Sequence, residues 1–137
     1  MGKLIEIREH SGAGIGGEIS RERFTVLLLN FLPRLAADRI ADMQRHTETD
    51  ECFVLLEGKA VLFAAEGADA PGEIEAYPLE QGRVYVVPQG IWHTQIMTED
   101  AKILLVENTG TVASNSPRHP ITEAQRAQIA AWGAQLV

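Results

Sequence analysis

Cysteine is nearly missing from this chain: Cys52 stands alone. No intramolecular disulfide can form, and zinc sites built on paired Cys-x-x-Cys segments are excluded. Long apolar runs are missing too. Stretches such as Val26 to Leu29 fall far short of the ~20 residues that a membrane-spanning helix needs. The opening MGKLIEIREH has no apolar signal core. Basic charge is in short supply. Twelve Lys and Arg face 19 Asp and Glu, a net charge of −7 and a pI near 5.0. That balance argues against a nucleic-acid or membrane partner, but it leaves room for a local positive site. These absences together point to a reduced, cytoplasmic setting.

What is present suits one domain. The 137 residues are 45% apolar and 23% charged, with a mean hydropathy of −0.05. A chain of this length buries roughly two-thirds of the surface its unfolded form exposes, so it needs no covalent staple. Glycines and prolines recur along it, among them Gly58, Gly67, Gly72, Gly82, Gly90, Pro71, Pro78 and Pro88. Short apolar or alternating runs lie between them, the pattern of an all-β sandwich or barrel.

The runs that read as strands are Lys3 to Arg8, Arg23 to Phe31, Arg39 to Arg45, Glu51 to Leu56, Ala60 to Ala65, Ile74 to Leu79, Val84 to Val87, Trp92 to Met97 and Lys102 to Glu107. Gly14-Ile15-Gly16-Gly17 lacks the Lys-Ser/Thr of a phosphate loop and reads as a flexible connection. Residues 1–110 would form the barrel with its N-terminal strands. Residues 111–137 would be an irregular segment and a helix packed on it. Thr122 can cap that helix with Gln125 three residues on, a capping box, so a helix is expected over Thr122 to Trp132. The apolar stretch Thr25 to Phe31 exceeds what one barrel face needs, which suggests a homodimer edge.

Two of the four histidines have informative surroundings. In Gln44-Arg45-His46, side chains 44 and 46 share a face if the strand runs to His46. Thr47 to Asp50 is polar and turn-like, so Glu51 can swing back beside His46. His93 follows Gly82, Pro88 and Gly90, a rigid reversal that would hold it well. His10 and His119 read as exposed. Cys52 reads as a small buried hydrophobe facing away from Glu51.

These segments resemble the cupin family. The second cupin motif runs Gly, five residues, Pro-x-Gly, two residues, His, three residues, Asn. It is matched at Gly82, Pro88, Gly90 and His93, with Met97 in the Asn place. The first motif ends His-x-His, three or four residues, Glu, six residues, Gly. It is matched at His46, Glu51 and Gly58, with Gln44 where the first histidine would stand. The resemblance implies an antiparallel double-stranded β-helix, or jelly roll, with a short C-terminal helix.

It also implies a divalent metal (Fe, Mn, Ni, Co or Zn) held by His46, Glu51 and His93, with Gln44 as a further candidate. Two imidazoles and one carboxylate suit such ions and leave open positions. Phe53, Leu55, Gln95 and Met97 are in phase with the ligands and are expected to line the pocket. Glu48 and Tyr85 are the candidate proton carriers. Trp92 is out of phase with His93 and is placed on the opposite face, at an interface. The expected function is binding of the metal and a small oxygenated organic molecule, as in an oxygenase or isomerase. The alternatives are a ligand binder without turnover and a metal-free structural dimer.

Overall fold

The computed structural model describes residue 4 and residues 6–136. Ten strands occur among them: β1 (Gly14–Ser20), β2 (Phe24–Asn30), β3 (Asp42–Gln44), β4 (Glu51–Glu57), β5 (Ala60–Ala65), β6 (Ile74–Pro78), β7 (Val84–Val87), β8 (Trp92–Met97), β9 (Lys102–Asn108) and β10 (Arg118–Pro120). One helix, α1 (Glu123–Gly133), follows. The strands form two five-stranded antiparallel sheets, ordered β1-β2-β9-β4-β7 and β10-β3-β8-β5-β6. Together they make a jelly-roll sandwich.

Alternation decides which side chains fill it. On the first sheet Leu27, Leu29, Phe53, Leu55, Ile103 and Leu105 are all buried. Their neighbours in sequence are half-buried or, at Leu56, exposed, as period two requires. β5 behaves differently. Ala60, Val61, Leu62 and Phe63 are buried in succession, as expected of a strand covered on both faces. Phe53 and Phe63 are among the largest fully enclosed side chains. Truncating either to Ala would cost roughly 3–5 kcal/mol.

α1 begins where the capping box places it. Thr122 Oγ1 accepts from the Gln125 N–H at 3.1 Å, and Gln125 Oε1 accepts from the Thr122 N–H at 2.9 Å. The helix is pinned to the chain before β6: Gln125 Nε2 donates to the Pro71 and Gly72 carbonyls, and Gln128 Nε2 to that of Ile74. Ile129 is fully buried.

Several expectations are corrected. The strand expected over Lys3 to Arg8 lies partly outside the described residues, and Glu6 to Arg8 form no strand. The glycine-rich segment instead supplies β1, because β2 offers a full row of hydrogen-bonding partners. Its register shifts between Gly16 and Ile19, with Gly17 at φ 60°. A Cβ on Gly16 would strike the His10 imidazole at 2.3 Å. That close approach explains why a glycine-rich strand is tolerated here. His10 is accordingly half-buried, with Nε2 2.7 Å from the Gly14 carbonyl oxygen.

The expected strand over Arg39 to Arg45 shrinks to Asp42–Gln44, after a short 3-10 turn at Pro33–Leu35. Thr25 to Phe31 does not form an edge. β2 lies between β1 and β9, so it is an interior strand of the first sheet. Trp92 does face away from His93, but this chain's own groups cover it. The Arg45 guanidinium lies 4.6 Å above its ring, His119 meets it edge-on, and its indole N–H donates to the Gly67 carbonyl. His119 is half-buried by that contact rather than exposed.

Candidate metal centre

His46, Glu51 and His93 converge. All three are buried, and one donor atom from each lies within 4.8 Å of the others. Three segments bring them there. β3 pairs with β8 at Gln44 and His93, which sets the end of one strand against the start of the other. The Gly90 N–H donates to the His46 carbonyl at 2.8 Å, tying the β7–β8 turn to the chain after β3. Glu51 opens β4 on the inner face, opposite Val87 and Glu107.

The polar loop Thr47 to Asp50 is clamped from both sides. Gln89 donates its backbone N–H to Asp50 Oδ1 at 2.8 Å and its amide to the Thr47 carbonyl. On the other side the Asn108 N–H donates to Thr49 Oγ1 at 2.9 Å. The Asp50 and Gln89 side chains thus hold in place the short connection between two of the three cluster residues.

The hydrogen bonds set the tautomers. His93 Nδ1 faces the Ile91 carbonyl oxygen at 3.1 Å. A carbonyl only accepts, so Nδ1 carries a proton. His46 Nδ1 lies 2.7 Å from Ser116 Oγ, whose hydroxyl donates to Asn115 Oδ1. That oxygen therefore accepts from His46 Nδ1–H. On neutral rings both Nε2 atoms then carry lone pairs. Yet both point at the same Glu51 Oε1, at 3.2 Å from His46 and 3.0 Å from His93. Acceptors facing an acceptor need a cation between them. Protons on the imidazoles can fill that place, and so can one divalent ion. Neighbouring donors about 2.1 Å from a shared ion stand about 3 Å apart, so the separations fit. The residues present therefore match a metal site in donor chemistry, burial and spacing.

Burial raises the Glu51 carboxyl, but hydrogen bonds from His46 and His93 and their charge outweigh it and bring it down to about 2. Its neighbour goes the other way. Glu107 lies beside Glu51 on the facing strand, and burial followed by the Glu51 charge and hydrogen bond pushes its carboxyl up to about 7. Two carboxylates side by side resist sharing negative charge.

A cavity of about 460 Å³ opens onto the cluster, with Glu51 and His93 in its wall. Gln44, Phe53 and Gln95 line it, as does Leu105. Leu55 and Met97 are buried in the core and are not part of that wall. Gln44 donates its amide to the Ser116 carbonyl at 3.3 Å. Glu48 is exposed, and its carbonyl accepts from the Asn108 amide at 3.3 Å. Tyr85 lines a different cavity, and its hydroxyl oxygen accepts the Glu80 N–H at 3.0 Å. Cys52 is half-buried and unpaired.

Sequence reasoning misses Ser116, Glu107 and the lining arginines Arg34, Arg39 and Arg118. Ser116 stands 70 positions from the histidine it orients. No local pattern announces it. Glu107 could have been found from the Lys102–Asn108 alternation, since a carboxylate continues the buried phase of Ile103 and Leu105.

No family model matches the sequence, and no curated protein matches it. Solved structures do. A variant of Bacillus subtilis oxalate decarboxylase is 16% identical with a TM-score of 0.57, covering 82% of this chain and 30% of that one. A point variant of Streptomyces PAC13, solved with uridine, is 12% identical with a TM-score of 0.56, covering 88% of this chain and 91% of that one. The capsular polysaccharide assembling protein CapF from Staphylococcus aureus is 16% identical with a TM-score of 0.53, covering 82% and 31%. The chain thus spans about a third of the decarboxylase and of CapF, but nearly all of PAC13. Its two five-stranded sheets with a buried His-Glu-His cluster between them are the cupin fold.

Proposed function

We propose that the protein binds one divalent metal ion through His46, Glu51 and His93 and presents it to a small oxygenated organic ligand in the adjoining cavity. The observation that carries this reading is the meeting of two imidazole lone pairs on one carboxylate oxygen. When bound, such an ion supplies Lewis acidity or redox capacity, the chemistry of an isomerase or an oxygenase.

The chain's own residues have separable tasks. Ser116 and the Ile91 carbonyl hold the Nδ1 protons, which keeps both Nε2 atoms free to ligate. Phe53 and Leu105 keep the wall of the cavity apolar. Gln44 and Gln95 offer amides that can orient a polar ligand. Glu107 stands beside Glu51, where burial and the neighbouring carboxylate favour its protonated form.

A second reading, a metal-loaded ligand binder without turnover, is favoured by one observation. Both candidate proton carriers read from the sequence, Glu48 and Tyr85, stand away from the cavity wall.

Metal analysis of the purified and reconstituted protein tests the reading. The expected result is about one divalent ion per chain, lost in His93→Ala, with uptake that releases protons and weakens as pH falls. A protein that takes up no divalent ion, or a His93→Ala variant with unchanged metal content, overturns it. Oxygen consumption with catechols and diketones then separates an oxygenase from a binder.

A further inference from the structure

We infer that the ligand is an organic acid, whose carboxylate docks on the arginines lining the cavity while its oxygenated end faces the His46–Glu51–His93 cluster. This rests on the metal reading and names the ligand class for the same site. The chain as a whole is acidic, at −7. The wall of this cavity is not. Arg34, Arg39 and Arg118 line it, against the acids Asp42 and Glu51.

Arg118 Nη1 is paired with Asp42 Oδ1 at 3.1 Å. Arg34 and Arg39 have neither an ion pair nor a side-chain hydrogen bond among the described residues. Setting Asp42 against Arg118 leaves two guanidinium groups uncompensated around the cavity. Glu51 is committed to the two imidazoles.

The placement is built by the fold. Arg34 sits in the 3-10 turn at Pro33–Leu35, Arg39 in the loop before β3, and Arg118 on β10, which pairs with β3. Leu35 and Ile40 beside them are buried and anchor both loop arginines. Guanidinium groups prefer planar anions, which they bind through paired N–H donors. Leu29, Leu35, Ile40 and Leu105 are buried in the same wall and suit the apolar body of such a molecule. The cavity volume of about 460 Å³ admits a ligand of aryl-acid size.

The test compares 3,4-dihydroxybenzoate with its uncharged amide by titration calorimetry, on zinc-loaded and on metal-free protein. The expected result is binding of the acid about tenfold or more tightly than the amide. That preference should vanish in Arg34→Gln/Arg39→Gln and persist in Arg83→Gln, an exposed arginine outside the cavity. Unchanged circular dichroism of the double variant excludes misfolding as the cause. Equal affinity for acid and amide, a preference that survives the double substitution, or no binding of either at millimolar concentration overturns the inference. Failure to take up zinc overturns the metal reading instead, because the acid-to-amide ratio is still read on the metal-free protein.

Discussion

Two cavities of the sandwich differ in kind, and the larger of the two is the less chemical. The one between β7 and the β5–β6 hairpin holds about 1010 Å³, more than twice the 460 Å³ beside the histidines. Its wall is mostly uncharged, with valines, alanines and two tyrosines beside Glu66, Glu73 and Glu75, and it includes no histidine. Val84 and Val86 on β7, at the edge of the first sheet, are exposed along it. The smaller cavity gathers a carboxylate, an imidazole and three arginines. Volume follows from where two sheets diverge. Chemistry follows from where several segments converge their polar groups on one point.

Four outcomes would sharpen or break this contrast. The largest effect is expected at the cluster. Glu51→Gln removes the charge on which both imidazoles converge and should abolish stoichiometric zinc binding at micromolar protein, read by metal content after gel filtration. Ser116→Ala should weaken zinc binding about tenfold, read by competition with a chelator, because it frees His46 to turn.

Glu107→Gln acts on stability, read in chelator-treated protein. The folded carboxyl sits at about 7, above the ordinary 4.5. A raised acid stabilises the fold below about pH 4.5, and that contribution is lost as pH rises through 7. The variant should therefore be more stable than the parent at pH 8, by about 1 kcal/mol after discounting for half exposure, with the gain absent at pH 4. Equal urea midpoints at both values would remove Glu107 from the account.

The smallest effect belongs to the larger cavity. Tyr85→Phe should leave zinc affinity unchanged and cost less than about 1 kcal/mol in urea, since it loses one partly exposed hydrogen bond. A Tyr85 variant that lost metal would erase the distinction between the two cavities.

The legibility of the chain divides along a similar line. Strands with strong local patterning, such as Ala60–Ala65, Val84–Val87 and Trp92–Met97, begin and end where the sequence places them. So does the helix start at the Thr122 capping box. β1 and β10 escape notice because their strand character comes from partners. Three glycines in seven residues carry no β-propensity, and Arg118–Pro120 is held by β3. The same holds at the centre. His46, Glu51 and His93 are visible because turns and spacing mark them. Ser116 and the arginines are not, because only the closed sandwich brings them near.

That dispersal has a kinetic side. The cluster and its support come from the end of β3, the start of β4, the start of β8 and the chain before β10, so none of it exists in any one hairpin. A cation can grip the chain only after both sheets have closed. Bound ions should consequently slow the opening of the native state while leaving the rate of its formation nearly untouched. On the proposed metal reading, the pairing of His46 with distant Ser116 would make a bound ion a lock on a finished fold rather than a seed for one.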